Sequence, residues 1–558
     1  MLINNKMIKK NFIVLLSILI LFLNQIYATY DYVPRSADID RSPKNILVGS
    51  FIGGRSHLKP MLDITTILSE RGYNVILLTK GNYTPSSEYP TVKQISLGPA
   101  LNYKELMKSH IHKDVDFNGM MKFVKLSLES YRENYEKYIN IAKDNNIDLF
   151  FCDTLVNDVC LDAAHTLKKP VIGFSSSIYF TAPVSYKSDP LYGCNISLEN
   201  EPFLKRFKCI AMHPFQVYFA AHSFIDQLND IRKKINVEPG LIALGNSPRI
   251  PFYLVDGFFG FDLPQSLPSN VQEIGPVLSD DYPPLTPELS NFMNTHKRVL
   301  YVAFGTHFFT TTENNNKLLQ SFIEAINKNI IDGVVWALVE TSKDSYSSTL
   351  NLTDGTQVQT SPILNNEHPH IHIAAFAPQF SILNHTNTKL FFSHGGAGSS
   401  HESLYTGTPM LILPFGSDQM GNADKLKSAG VALTLYKFTL DVNDIINKID
   451  FLLRDENVKK NSKRIEILSK INSKRKYRAA DLIEYILHSS SIYEGIDKEF
   501  LKEWIPAESR MGFIKKYNYD VYGALLSIIL GFIGGILWIT FKLIGFIIVS
   551  SNQKQKYE

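Results

Sequence analysis

From Asn45 to Phe51 the chain reads NILVGSF, an almost unbroken apolar run that predicts a strand buried on both faces. Gly53-Gly-Arg-Ser-His57 follows as a turn, and a helical pattern runs from Pro60 to Arg71. Gly72 stops that helix, and Asn74 to Thr79 (NVILLT) reads as the next strand. Strand, glycine-rich turn, helix, strand is the opening of a parallel α/β domain. Ile147 to Cys152, a helix near Val159 to Leu167, and Pro170 to Phe174 repeat the unit. Prolines 264, 268, 276, 283, 284 and 287 then crowd residues 263–287, which read as an interdomain linker. A second α/β series begins with the strand Arg298 to Phe304, the turn Gly305-Thr306 and a helix from Lys317 to Ile326. Val334 to Val339, Ile371 to Ala374 and Leu390 to Ser393 follow as short strands. The order predicts two α/β domains, 44–270 and 298–505, with 271–297 between them and a cleft where they meet.

The ends carry a different pattern. Residues 1–11 hold Lys6, Lys9 and Lys10, Phe12 to Leu23 is apolar apart from Ser17, and Ala28 offers a small residue for cleavage. This predicts a secretory signal peptide over 1–28, the apolar run being short for a membrane span. Val521 to Phe541 is long enough to cross a bilayer, and Lys542 is placed at the headgroup boundary. A transmembrane segment over 520–549 after a cleaved signal predicts a type I topology, with 29–518 luminal and 550–558 cytosolic. The ending Lys554-Gln-Lys556-Tyr-Glu resembles a Lys-x-Lys-x-x retrieval signal of the endoplasmic reticulum.

Charge and cysteine content narrow the picture only slightly. Lys plus Arg number 57 and Asp plus Glu 54 among 558 residues, so nucleic acid is not an expected partner. Cys152, Cys160, Cys194 and Cys209 make neither a disulfide scaffold nor a zinc site. Cys152 reads as plain core, while Cys194 and Cys209 share a loop-rich stretch of a luminal chain and are candidates to pair. Glycosylation sequons begin at Asn82, Asn195, Asn351 and Asn384.

The chemistry concentrates between Phe376 and Ala423. The strand Leu390 to Ser393 runs into His394-Gly395-Gly396-Ala-Gly398, and a helix opens near Ser399. Such a turn brings backbone N–H groups and the positive end of a helix to an anion. His394 can donate to a phosphate, and Glu402 can accept from a vicinal diol such as a ribose. Pro378-Gln379, Gly407-Thr-Pro409, Pro414 and Asp418-Gln419-Met-Gly-Asn422 stand in register around them.

This constellation resembles the signature of the UDP-glycosyltransferase family, and the animal membrane-bound glucuronosyl and glucosyl branch in its C-terminal span and basic end. The resemblance implies an α/β architecture of two Rossmann-like domains facing across a cleft, the GT-B arrangement. It also implies a UDP-sugar as co-substrate, a small hydroxylated acceptor, attachment to the membrane through the C-terminal helix, and no metal or other cofactor. Self-association is left open. By position, His394 would bind the α-phosphate, with Ser399 and the backbone around Gly396 and Gly398 on the β-phosphate and Thr306 beside the diphosphate. Glu402 would hold the ribose, Gln379 the nucleoside, and Asp418 and Gln419 the hydroxyls of the donated sugar. Phe376 stands where the family often has Trp to stack on uracil, and Gly398 replaces a common Asn.

In the first domain, Ser56-His57-Leu-Lys-Pro60 resembles the loop with the family's catalytic base, and Asp148-Leu-Phe-Phe-Cys-Asp153 the strand ending in its acidic partner. A neutral imidazole suits removal of an acceptor proton near neutral pH, and a carboxylate on its far nitrogen fixes the tautomer. His57 and Asp153 are therefore the expected catalytic pair. His368, His370 and His372 alternate as metal ligands do on a strand, but Pro369 interrupts it and no metal site is expected there. The expected activity is inverting transfer of a hexosyl group to a hydroxyl of a small, lipophilic acceptor. Glucuronosyl against glucosyl transfer is open at this level, and a non-catalytic binding protein or a UDP-sugar epimerase on the same architecture are the competing classes.

Overall fold

A computed structural model describes residues 13–17, 42–81, 89–102, 117–176, 202–240, 250–262, 267–305, 310–338, 345–416, 418–492, 496 and 498–554. Residues 1–42 form a unit of their own, in which 13–17 are helical. The expected signal cleavage after Ala28 lies outside the described residues.

The second unit contains two parallel sheets. The first has strands β1 (Asn45–Ser50), β2 (Asn74–Thr79), β3 (Lys93–Ser96), β4 (Leu149–Asp153), β5 (Val171–Ser175), β6 (Phe252–Val255) and β7 (Val271–Glu273). Their order is β3-β2-β1-β4-β5-β6-β7, and every neighbouring pair is parallel. All five residues of β4 and of β5 are buried, as expected for strands covered on both faces. Ile46 and Val48 pack on helix α1 (Arg55–Glu70), while Leu47 and Phe150 meet Tyr131 and Tyr138 on the other face.

α1 starts five residues before the predicted Pro60, because Gly54 supplies an extended N-cap and the proline sits inside the helix. The stretch read as linker contributes β7, an edge strand of three residues, too short to leave a periodic trace among prolines. Helix α2 (His213–Lys234) docks on the first sheet through Leu228 and Arg232. The Arg232 guanidinium is held by Asp162 at 2.8 Å and Asp158 at 3.3 Å.

The second sheet is built from β8 (Val299–Ala303), β9 (Gly333–Ala337), β12 (Ile371–Ala374), β13 (Thr388–Ser393), β14 (Met410–Ile412) and β15 (Ala432–Thr434). Its order is β12-β9-β8-β13-β14-β15, parallel throughout, with a separate hairpin of β10 (Thr349–Asn351) and β11 (Gln357–Gln359). Helices α3 (Ala397–Thr406) and α4 (Asp418–Ser428) follow β13 and β14. In each sheet the strand order reverses beside the first strand, between β1 and β4 and between β8 and β13. A crevice opens beyond the carboxyl ends of strands at such a reversal, so the loops after β1, β4, β8 and β13 are the ones that flank it.

The chain then returns to the first sheet. Ala479, Ile483 and Ile486 of helix α5 (Arg475–Ile492) join the core beneath α1. Tyr73 donates to Glu484 at 2.9 Å, and Arg71 pairs with Asp481 at 2.8 Å. Helix α6 (Tyr519–Lys554) contains Tyr519–Ile548, 30 exposed residues long and apolar enough to cross a membrane. Lys554 ends α6 and Lys556 lies outside the described residues.

Where the two sheets meet, four charged side chains are buried together. Asp256 follows β6 and Asp262 closes the next loop, while His401 lies on α3 and Lys425 on α4. All four are at most 5 % exposed. His401 Nδ1 is 3.4 Å from Asp256 Oδ2, and the Lys425 ammonium donates to Asp262 Oδ1. Backbone N–H groups of Val277 and Phe258 donate to the remaining oxygens of the two acids at 2.8 and 2.9 Å. Two negative charges from one domain are thus met by cationic groups from the other. Removing one partner of a buried pair strands the other without water, a loss of about 3–5 kcal/mol. Lys425→Met is therefore expected to lower the thermal midpoint by several degrees, and adding Asp262→Asn to recover much of the loss. Scanning calorimetry of the two variants measures both steps.

Candidate active site

β4 ends in Asp153, fully buried at the floor of the first crevice. Ser50, the last residue of β1, donates to Asp153 Oδ2 at 2.9 Å, and the Leu155 N–H donates to Oδ1 at 3.1 Å. The carboxylate so fixed lies 3.3 Å from His57 Nδ1, on the first turn of α1. The approach depends on Gly53 (φ +66°), where a Cβ would come within 2.9 Å of the Lys80 carbonyl oxygen. His57 and Asp153 are thus brought together, and Nδ1 is the nitrogen engaged. Burial opposes protonation of His57, but the charge of Asp153, its hydrogen bond and the charge of Asp418 outweigh it and hold the imidazole above its usual 6.5.

The Cys152–Cys160 disulfide lies immediately behind this pair. The expectation that Cys152 is plain core is corrected: strand, turn and helix bring the two Cα atoms to 6.0 Å. The bond ties the end of β4 to the helix Asp158–Thr166 and closes the loop that begins with Asp153. The suggested pairing of Cys194 with Cys209 falls on residues whose side chains are not described.

On the facing domain, β13 runs into His394, which is 8 % exposed. Its ring is sandwiched by glycines. A Cβ at Gly305 would stand 3.0 Å from Nε2, and one at Gly396 would stand 2.5 Å from it. Gly396 is also the extended N-cap of α3, whose first backbone bond runs from the Ser400 N–H to the Gly396 carbonyl. The preceding N–H groups of this turn have no partner within the helix, and they carry the positive end of its dipole. The Asp418 carboxylate lies near one of them, that of Ala397, and accepts from Asn422 at 3.0 Å. Burial pushes the Asp418 carboxyl up, opposed by His57 across the cleft. The two domains therefore face each other through His57 and Asp418.

A second group gathers one turn along α3. Gln379 donates to Ser399 Oγ at 3.1 Å and to Glu402 Oε2 at 2.8 Å, and Tyr301 donates to Gln379 Oε1 at 3.4 Å. Burial raises the Glu402 carboxyl, with the Gln379 hydrogen bond and then the charges of Lys59 and Arg55 acting against it. Phe376 lies 75 % exposed, with a free face for a planar ring. Gly398 points into open space, so a side chain there would meet nothing within 4 Å. Gln419 is 1 % exposed, and its amide oxygen accepts from the Phe415 N–H at 2.8 Å and the Gly416 N–H at 3.3 Å, which shapes the loop before α4. Thr306 lies outside the described residues, as do the sequon residues Asn82 and Asn195, while Asn351 and Asn384 are exposed.

The alternating histidines do not converge. His370 is 3.2 Å from His296, and the His372 ring lies tilted against Phe292 with centroids 5.6 Å apart. Several residues of the site carried no signal of their own in sequence. Ser50, Arg55 and Lys59 are ordinary polar residues until the fold places them; Arg55 and Lys59 each stand two positions from His57, the one hint available.

Two facing parallel sheets, a His–Asp pair on one and a glycine turn with a helix start and the Gln379–Glu402 pair on the other, are the arrangement of a two-domain glycosyltransferase. The fold is shared with the solved glycotransferase of kitacinnamycin, at a TM-score of 0.57 and 17 % identity over 80 % of this chain and 100 % of that one. Residues 175–493 match the UDP-glucoronosyl and UDP-glucosyl transferase family, and the chain belongs to it. A UDP-glycosyltransferase of Talaromyces amestolkiae is 28 % identical over 90 % of this chain and 98 % of its own length. UDP-glycosyltransferase 1 of Phaeomoniella chlamydospora is 32 % identical over 74 % and 84 % respectively.

The glycine sandwich yields a direct test. Gly396→Ala keeps an allowed backbone (φ −63°) but drives a methyl into the His394 ring. UDP affinity is expected to fall roughly tenfold or more, about 1.4 kcal/mol, with little change in thermal midpoint. Gly398→Ala, built into open space, is expected to bind UDP as the parent does. Titration calorimetry compares the two.

Proposed function

We propose that this glycosyltransferase moves a hexosyl group from a UDP-sugar to a hydroxyl of a small, lipophilic acceptor, with His57 as general base. The observation that carries the reading is the His57–Asp153 contact at 3.3 Å, within range of the charge of Asp418 at the start of α4. With Nδ1 engaged by the carboxylate, Nε2 takes the acceptor proton as the oxygen attacks the anomeric carbon. The new C–O bond forms as the bond to UDP breaks, and the electron pair leaves on the diphosphate. Attack from the side opposite the leaving group inverts the anomeric centre. His394 and the first turn of α3 meet the diphosphate charge, and Glu402 with Gln379 the ribose and base. Glucose and glucuronic acid are both within the family's range, and the Asp418-Gln419 pair does not distinguish them.

The same reading places the catalytic domains in the lumen of the endoplasmic reticulum, held by α6. Support comes from the length and hydropathy of Tyr519–Ile548, and a disulfide at Cys152–Cys160 suits an oxidising compartment.

The division of labour predicts separable losses. His57→Ala is expected to lower transfer by about 10²–10⁴-fold with UDP affinity nearly intact. Asp153→Asn should be a milder version, since the ring remains but loses its orienting charge. His394→Ala and Glu402→Ala should instead weaken UDP binding by roughly 1–3 kcal/mol each. Calorimetry with UDP and single-turnover transfer rates read the two effects apart; loss of UDP binding in His57→Ala would overturn the base assignment.

The electrostatics set a pH profile. A base must be neutral, so transfer should rise with pH through a midpoint above 6.5, because Asp153 and Asp418 hold the proton on His57. Asp418→Asn removes one of those charges, and the midpoint should move down. A midpoint that stays in place in single-turnover profiles would show that His57 does not feel Asp418.

A further inference from the structure

Lys59 stands two residues after His57 on α1, and its ammonium is held from several sides. It donates to Ser279 Oγ and, at 3.3 Å, to the Tyr89 hydroxyl. Asp63 Oδ2 is 3.7 Å away, and the centroid of the Tyr282 ring 5.5 Å. Ser279 and Tyr89 donate in turn to Asp63 Oδ1 at 2.9 and 2.7 Å, so this acid keeps the cluster together and offsets part of the lysine's field.

Ser279 and Tyr282 belong to the stretch between the domains, and that stretch also grips the second domain. Tyr282 stacks on Phe380 with centroids 3.9 Å apart and the rings 10° from parallel. The Pro283 carbonyl accepts from Ser381 at 2.5 Å. Phe380 follows Gln379, which donates to Glu402 at 2.8 Å. A cation is drawn to the face of an aromatic ring, and this ring is itself fixed to the helix that holds Glu402.

Burial raises the Glu402 carboxyl and the Gln379 hydrogen bond opposes it; among the charges that act on it Lys59 comes first, then Arg55 and His401. Arg55 is exposed to water, where its field is screened, whereas the Lys59 side chain is only 19 % exposed. Tyr282 and Tyr301 also lie within range of Glu402, and burial keeps both phenols protonated and neutral. A carboxylate can accept from both hydroxyls of a diol, and such charge-assisted bonds are roughly twice as strong as neutral ones.

We infer that Lys59 is a positioning residue of the nucleotide site, although it stands on the opposite domain. Fixed by the linker, its ammonium keeps Glu402 in the ionised form that accepts from the ribose. The ribose subsite is therefore completed by the domain that carries the base. This rests on the reading of Glu402 as the ribose acceptor.

The test measures UDP affinity of the full-length protein by titration calorimetry from about pH 5 to about pH 8. In the parent, affinity falls as pH drops through the Glu402 midpoint, because protonation removes the acceptor; the nucleotide's own titration is common to every variant. Lys59→Gln removes the charge but keeps a donor for Asp63. Its midpoint is expected to move up by about one pH unit, so that UDP binds up to roughly tenfold more weakly than to the parent on the acid side and within about twofold of it at the alkaline end. Lys59→Arg, which keeps the charge, is expected to restore the parent profile. Glu402→Gln should bind weakly throughout and lose the pH dependence that Lys59→Gln shifts. If Lys59→Gln does not fold, Lys59→Met with Asp63→Asn removes both charges and is read in the same way. A loss in the Lys59 variant that is equal at every pH, or a midpoint that stays in place, overturns the inference while weak binding by Glu402→Gln leaves the ribose acceptor standing. Unchanged UDP affinity in Glu402→Gln overturns the reading of Glu402 and this inference with it.

Discussion

Everything in the catalytic arrangement depends on how two separately folded sheets are held face to face. The buried set Asp256, Asp262, His401 and Lys425 is the constraint that does this. A charge out of water is stable only when it is met, and here each domain brings the charges that the other needs. Burial disfavours the protonated imidazole of His401, yet Asp256 and Asp262 together hold it above its usual range. His401 precedes Glu402 on α3, and Lys425 is seven residues after Asp418 on α4. The helices that carry Glu402 and Asp418 are therefore the same helices that are pinned to the first domain. The return of α5 under α1 adds an apolar counterpart, since Ala479, Ile483 and Ile486 complete the core of a sheet far from them in sequence.

The local geometry on either side of the cleft is made by short, rigid pieces. Asp153 is held by Ser50, by the Leu155 N–H and, next door, by the Cys152–Cys160 bond. His394 is held by the absence of side chains at Gly305 and Gly396. One site is fixed by what is present and the other by what is missing. Both lie where the strand order reverses, and this is why loops distant in sequence converge there.

Much of this was legible in the chain before any coordinates. Apolar runs such as NVILLT and LFFCD betray strands buried on both faces, since no amphipathic strand would spend four successive apolar residues. The cluster from Gln379 to Gln419 is local, so its spacing alone reports a strand, a glycine turn and a helix. His57 and Asp153 are 96 residues apart, and only the resemblance of their separate surroundings to one family joined them. The start of α1 was obscured by Gly53, Gly54 and Pro60, residues that usually end helices and here begin or tolerate one. β7 was hidden by prolines and by its three-residue length.

What the sequence by itself determined is therefore the periodic and the contiguous: two parallel α/β domains, an apolar helix near the end, and a nucleotide-type turn with its neighbours. Tertiary structure alone decided the rest. It paired Cys152 with Cys160, brought the charges of Lys59 and Arg55 within range of Glu402, and buried Asp256 and Asp262 against His401 and Lys425. None of these has a signature in sequence, because an isolated Asp or Lys is most stable in water and reads as surface. Its burial becomes favourable only when a partner from a distant segment arrives with the opposite charge, and that meeting exists only in the folded chain.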